Sequence, residues 1–363
     1  MYVFKNVLIL VFIFSYSFSC AQNNDSIQKF IKGEVPNTIK NEDTIFFTNI
    51  FYIDNKYFST NNIASIINNN KFEIKVNLNY PHMFKMSFKS ERNKFLFRDG
   101  DYYIDQFTSF IKIDSTGECD IVFGKTHKEY KNKFIPFFLT DSTYDCKSNS
   151  LAKFRSQYGD DFDTKLLEYT SNNPDSFVAL WNLIERFSLN GYSKIYEEIF
   201  YTFSNKMKSE RLWKILSVDF KSIKIKENEL FPELNLKNTN LNSKKLKLTS
   251  AKYTLIDFWF SSCKPCLKAF PQLKKIYQMY HYKGFEIIGI STDKTKYIKN
   301  WLEKIKSEEI NWIHYLDENG VEATRDRIIS FPTTFLLDKN GKVIYKNITL
   351  LELEKFLKKN LNQ

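Results

Sequence analysis

Cysteine and histidine are scarce: 363 residues hold five cysteines and four histidines. Five cysteines are too few for a scaffold stapled by disulfides. The histidines (His82, His127, His281 and His314) stand at no metal-ligand spacing, so a zinc site lacks its second pair of ligands. No apolar run approaches the ~20 residues that span a bilayer. Internal repeats and long low-complexity segments are absent too. A concentrated basic element is missing as well. The net charge of +11 comes mostly from Lys spread among Asp and Glu, with one modest cluster at Lys244, Lys245 and Lys247. A nucleic-acid partner calls for Lys and Arg gathered on one element, so the charge reads as solvated surface.

What is present suits two or three globular domains: 43% hydrophobic residues, 17% aromatic, over a long chain. The abundance of Asn, Ile, Lys, Phe and Tyr reads as genomic base composition. At the N-terminus Lys5 precedes an apolar run over residues 7–14, followed by Ser15-Tyr16-Ser17-Phe18-Ser19-Cys20-Ala21. A cation, a short apolar core and small residues describe an export signal. Two cleavages fit. Ser19-Cys20-Ala21 matches an ordinary site and a leader of residues 1–21. Ser17-Phe18-Ser19-Cys20 matches a relaxed lipobox with Phe18 out of pattern, which makes residues 1–19 the leader and Cys20 the lipidated residue. The expected location is the cell envelope or periplasm, with the membrane touched only through such an anchor.

Residues 26–146 carry short alternating runs, as in Ile45-Phe46-Phe47, residues 72–76, residues 83–88, Phe95-Leu96-Phe97 and Ile111-Lys112-Ile113. Asn and Gly punctuate them, and a small antiparallel sandwich or half-barrel is expected. Cys119 and Cys146 either bridge there or stay as thiols. Over residues 147–227 apolar positions recur at three- and four-residue steps, predicting three or four helices. Asn173-Pro174-Asp175-Ser176 and Asn190-Gly191 mark their breaks. Over residues 228–363 the pattern becomes βαβ. Strands are expected at 246–248, 253–260, 285–291, 312–315, 335–338 and 342–346, with helices at 265–282, 297–305 and 351–361.

Cys263-Lys264-Pro265-Cys266 falls where a strand hands over to a helix. Free N–H groups and the dipole of a helix N-terminus stabilise a thiolate on the first cysteine. The two-residue spacing lets the second sulfur resolve a mixed disulfide.

Asp257-Phe258-Trp259-Phe260-Ser261-Ser262-Cys263-Lys264-Pro265-Cys266 resembles the thioredoxin active-site segment. Phe331-Pro332-Thr333-Thr334-Phe335 resembles that family's cis-proline loop, and Pro271 stands where its active-site helix carries a proline. The extra segment between Asp293 and Tyr315 makes the region most similar to the exported TlpA/ResA-like branch. The resemblance implies an α/β chain with a C-terminal thioredoxin fold, a central mixed sheet flanked by helices, preceded by a β-rich domain and a helical segment. It implies a thiol–disulfide oxidoreductase that needs no cofactor or metal and reduces client protein disulfides, fed by a membrane electron-donor thiol protein. Cys263 becomes the attacking thiolate, Cys266 the resolving thiol and Asp257 the buried carboxyl that moves its proton. Phe331, Pro332, Trp259, Lys264 and Pro265 form the substrate side, with Trp259 a wall of the site.

Departures from the family pattern carry expectations of their own. Ser262 replaces the usual tryptophan. Ala269 replaces the branch's glutamate, leaving proton transfer to Asp257 alone. Lys264 replaces glycine, and a cation there favours the thiolate of Cys263 and a more oxidising couple. A peroxiredoxin needs Thr or Ser where Phe260 stands, and a copper chaperone needs CxxxC with a nearby His. The contrasting reading is an envelope scaffold with a vestigial redox domain.

Overall fold

Period-two runs bury one face of a strand and expose the other, and two such sheets closed on each other share a core. That is the arrangement of the first third of the chain. The computed structural model describes residues 28–48, 55–57, 62–77, 79–92, 98–113, 120–122, 124–139 and 159–361. Cys20, both leader readings, Cys119, Cys146 and the run at residues 95–97 lie outside them.

One sheet has the order β4 (Lys71–Asn77), β1 (Gln28–Glu34), β7 (Phe110–Ile113), β8 (Asp120–Val122). The other runs β3 (Ile63–Ile66), β2 (Thr44–Thr48), β5 (His82–Phe88), β6 (Arg98–Ile104). Ile31, Ile74, Phe47, Phe84 and Tyr102 meet in the core between them. The sandwich is not wholly antiparallel, because β1 pairs with β7 in parallel. Between β3 and β4 the chain turns from one sheet to the other with Asn69 and Asn70 at positive φ, a conformation asparagine tolerates.

β5 breaks the alternation, being buried at six of its seven positions. Its second face is covered by the helices α1 (Gly159–Asn172), α2 (Phe177–Asn190), α3 (Lys194–Thr202) and α4 (Arg211–Ser222), whose core takes in Met83 and Tyr103. A further four-residue turn of helix, Asn205–Lys208, brings the described helices of this stretch to five. The Ser176 side chain caps α2 by accepting from the Ala179 amide at 3.0 Å, and Gly191 ends it at φ 72°.

The C-terminal sheet has the order β10 (Ser243–Lys245), β9 (Asn235–Asn238), β13 (Ile313–Leu316), β12 (Phe285–Ser291), β11 (Tyr253–Trp259), β14 (Thr333–Asp338), β15 (Val343–Lys346). β11, β12 and β13 run parallel, while β14 and β15 are antiparallel. Helices α5 (Lys264–Tyr280), α6 (Ile298–Ser307) and α8 (Leu350–Leu361) pack on one face; α7 (Val321–Arg325) and residues 225–236 pack on the other. This mixed sheet between helices is a thioredoxin fold. The strand expected at 246–248 is not formed there; β10 ends just before it, at Lys245, and β9 and α7 carry no period that would announce them. Among the described residues no helix is long and apolar enough to cross a membrane.

Candidate active site

Alternation along β11 decides which side chains look toward the redox motif. Leu255, Asp257 and Trp259 share the face under α5, while Ile256 and Phe258 belong to the opposite core. The strand ends at Trp259, and the Phe260–Ser262 turn delivers Cys263 to the N-cap of α5. The carboxyl ends of parallel strands are where open α/β sheets place their ligands.

Cys263 and Cys266 are joined in a disulfide, with Cα atoms 5.3 Å apart. Cys263 Sγ accepts from the Cys266 amide at 3.3 Å. That N–H, at the positive end of a 17-residue helix, is poised to stabilise a thiolate once the bond opens. Pro265 fits the first turn, where its missing N–H costs nothing, and it stands exposed beside exposed Lys264. Cys266, Phe270, Leu273, Ile276 and Tyr280 form the buried stripe of α5; Pro271 stands inside the helix.

Asp257 is sealed under this helix. Among the described residues nothing donates to its Oδ1, and burial pushes its pKa up to about 7. It lines a cavity of about 210 Å³ together with Cys266, Ala269, Leu273, Pro332, Thr334 and residues 347–350. Ala269 leaves that cavity without a second carboxyl. The Phe331–Pro332 peptide is cis. Both residues are half-buried, and the Phe331 ring meets Phe260 edge-on at 5.3 Å. Trp259 is fully buried against Phe270, so it walls the site from beneath and offers a client no surface. The structure thus gathers Cys263, Cys266, Asp257, Phe331 and Pro332 at one end of the sheet.

Residues 226–354 match the family described as Redoxin. Over 127 residues the chain is 35% identical to the thiol-disulfide oxidoreductase ResA of Bacillus thuringiensis subsp. konkukian, covering 33% of this chain and 72% of that protein. The chain belongs to the ResA family of thiol-disulfide oxidoreductases. It is also 29% identical over 121 residues to ResA of Bacillus subtilis, covering 33% of this chain and 66% of that one. Among solved structures, the thioredoxin domain of a Bacteroides vulgatus thiol-disulfide oxidoreductase matches 38% of this chain and all of that domain, with 30% identity and a TM-score of 0.35.

Sequence reasoning missed one polar cluster of this ResA relative. Buried Asp293, just past β12, accepts from the Ser261 amide and hydroxyl, both at 2.7 Å, and from the Ser291 hydroxyl at 2.6 Å. It fastens the turn before Cys263 to the neighbouring strand end. The short Ser291-Thr292-Asp293 run at the end of a mostly apolar strand was the available signal, since Ser and Asp there favour local backbone bonds. Asn347, at φ 55°, was missed too; its Oδ1 accepts from the Thr334 amide at 3.0 Å beside the cavity.

Proposed function

We propose that this oxidoreductase is exported to the cell envelope and there reduces disulfides of client proteins through Cys263 and Cys266. The observation that carries the reading is Asp257, a carboxyl titrating near neutrality in the same cavity as Cys266. In the reduced enzyme the Cys263 thiolate attacks a client disulfide, forming a mixed disulfide and releasing one client thiolate. Ionised Asp257 takes the proton of the Cys266 thiol, directly or through water in the cavity. The Cys266 thiolate then attacks Cys263 Sγ and releases the second client thiolate. The client gains two electrons; its two thiolates then take up one proton passed on from Asp257 and one from solvent, and the enzyme ends as the disulfide seen here.

Phe331 offers backbone beside cis-Pro332 for an extended client segment to pair with, and Lys264 and Pro265 stand exposed at the edge of the site. Each turnover needs two electrons from outside, for which a membrane thiol protein is the proposed donor. Cys20 is the residue that lipidation would anchor. Residues 26–146, 147–227 and 228–363 are the proposed units, with the helical run at 125–138 packing into the core of the second rather than into the sandwich. Cys266→Ser decides the chemistry: it should accumulate a mixed disulfide with a client on Cys263, which Cys263→Ser does not. A reduction potential near ~−270 mV supports a reductase, and one near ~−120 mV makes the protein an oxidant instead.

A further inference from the structure

Three parts of the chain meet at one buried carboxylate. Asp219, on α4, accepts from the Tyr57 hydroxyl at 2.5 Å, from the Lys56 ammonium, and from Arg327 Nη2 at 2.8 Å. Lys56 and Tyr57 belong to a short turn beyond β2 of the sandwich, and Arg211 of α4 grips the same turn through the Lys56 carbonyl at 3.0 Å. Arg327 lies four residues before Phe331, on the loop that delivers cis-Pro332.

That loop is held against the helices at several further points. The Arg327 guanidinium sits 5.5 Å from the centre of the Phe187 ring on α2. Arg327 itself has φ 54°, a conformation that non-glycine residues keep only where surroundings impose it. Its carbonyl approaches Gly191 so closely that a Cβ there would come within 2.2 Å of it. Neighbouring Asp326 accepts from the Lys224 and Ile225 amides at 2.6 and 3.0 Å, where the chain leaves α4. The loop's backbone is therefore set from outside the thioredoxin fold, by α2, α4 and the sandwich turn behind them.

We propose that Arg327 is a positioning residue for the cis-Pro332 loop, tied through Asp219 to the Lys56–Tyr57 turn, so that the region ahead of the redox domain governs engagement of protein clients. The inference rests on the client-reducing reading above. A bulky client needs the loop in register, whereas a small disulfide needs only the sulfur pair. Misplacing a binding element away from the reacting atoms costs protein substrates and leaves the dithiol couple intact.

The test measures, in the mature chain, the reduction of insulin, the reduction of a small aromatic disulfide, and the Cys263–Cys266 potential. Arg327→Ala and Asp219→Asn should each raise the KM for insulin roughly tenfold. Potential and small-disulfide rate should stay within about twofold, and Arg327→Lys should recover most of the loss. Tyr57→Phe, which removes one hydroxyl on the far side of Asp219, should raise the insulin KM about threefold, and it decides the matter alone if the larger changes prevent folding. An unchanged insulin KM overturns the proposal. So does an equal loss on both disulfides, which would mean general damage to the redox centre. Wild-type protein inert toward both disulfides would sink the reductase reading itself, a distinct outcome.

Discussion

A carboxylate buried under a helix is poorly solvated, so the proton stays on until the pH nears neutrality. Asp257 is in that position, with a pKa of about 7 against an ordinary 3.8. A raised carboxyl pKa makes the folded state hold its proton longer than the unfolded state. The resulting stability is complete below about 3.8, erodes as the pH rises, and is gone above about 7. The span corresponds to roughly 4 kcal/mol as an order of magnitude. Oxidised wild type should therefore lose stability relative to Asp257→Asn between pH 4 and 8. Urea titrations of both proteins across that range check it, and parallel curves would refute the assignment. The same variant should resolve mixed disulfides roughly a hundredfold more slowly at neutral pH, since general base help is worth about that much. Lys264 acts on the other cysteine. Its exposed ammonium should raise the potential only modestly, so Lys264→Gly should read about 5–20 mV lower. Equal potentials would remove Lys264 from the account.

At the scale of elements, the redox sheet depends on how closely rings pack over β12. Gly289 lies between Trp259, Trp312 and His314: a Cβ there would come within 2.9 Å of His314 Nδ1 and 3.2 Å of each indole nitrogen. Those rings are buried on the face beneath α5 and pack against one another, His314 lying 6.2 Å from Trp259 and 6.0 Å from Trp312 between ring centres. Gly289→Ala should cost about 1–3 kcal/mol through overpacking, seen as a lower melting temperature. An unchanged melting temperature would mean the rings adjust freely. This glycine sits inside a fully buried strand whose bounds, 285–291, the sequence shows directly, yet its reason is tertiary and leaves no local mark. The same division holds more widely. β11, β12, α5 and α8 are legible because long periodic runs bury one face or two, and the CxxC motif and cis-proline loop carry their own spacing. β10, the edge strand, and β9 beside it are short, Ser-Lys-Lys and Asn-Leu-Lys-Asn, with almost nothing to bury. The parallel β1–β7 pair joins segments nearly eighty residues apart in the chain, which no local pattern encodes.

The whole molecule is held together by buried polar groups that sequence could not pair: Asp219 with Tyr57 and Arg327, and Lys346 with the Tyr192 carbonyl. Each is an ordinary charged or polar residue until the fold brings its partner from a distant segment. Buried histidines extend the argument to acid. His82 on β5 and His314 on β13 lie in different sheets, and burial pushes both pKa values down to about 4. A lowered histidine pKa means the unfolded chain takes up the proton first. The contribution is whole above about 6.5 and is lost as the pH falls toward 4, roughly 3 kcal/mol for each ring. Asp257, Glu129 and Asp317, all raised by burial, run the opposite way over the acid range, so absolute stability mixes both signs. The clean readout is a difference. His82→Phe keeps the aromatic stack on Tyr80, whose ring centre lies 4.3 Å away, and removes the titration. Its stability relative to wild type should rise by roughly 3 kcal/mol between pH 7 and pH 4. Because Asp219 and Asp326 join the helical layer to the redox sheet, fluorescence and near-ultraviolet dichroism should report the gain as one shared transition. A constant difference across that range would show that His82 titrates alike in the folded and unfolded chains, and its burial would then count for nothing in acid.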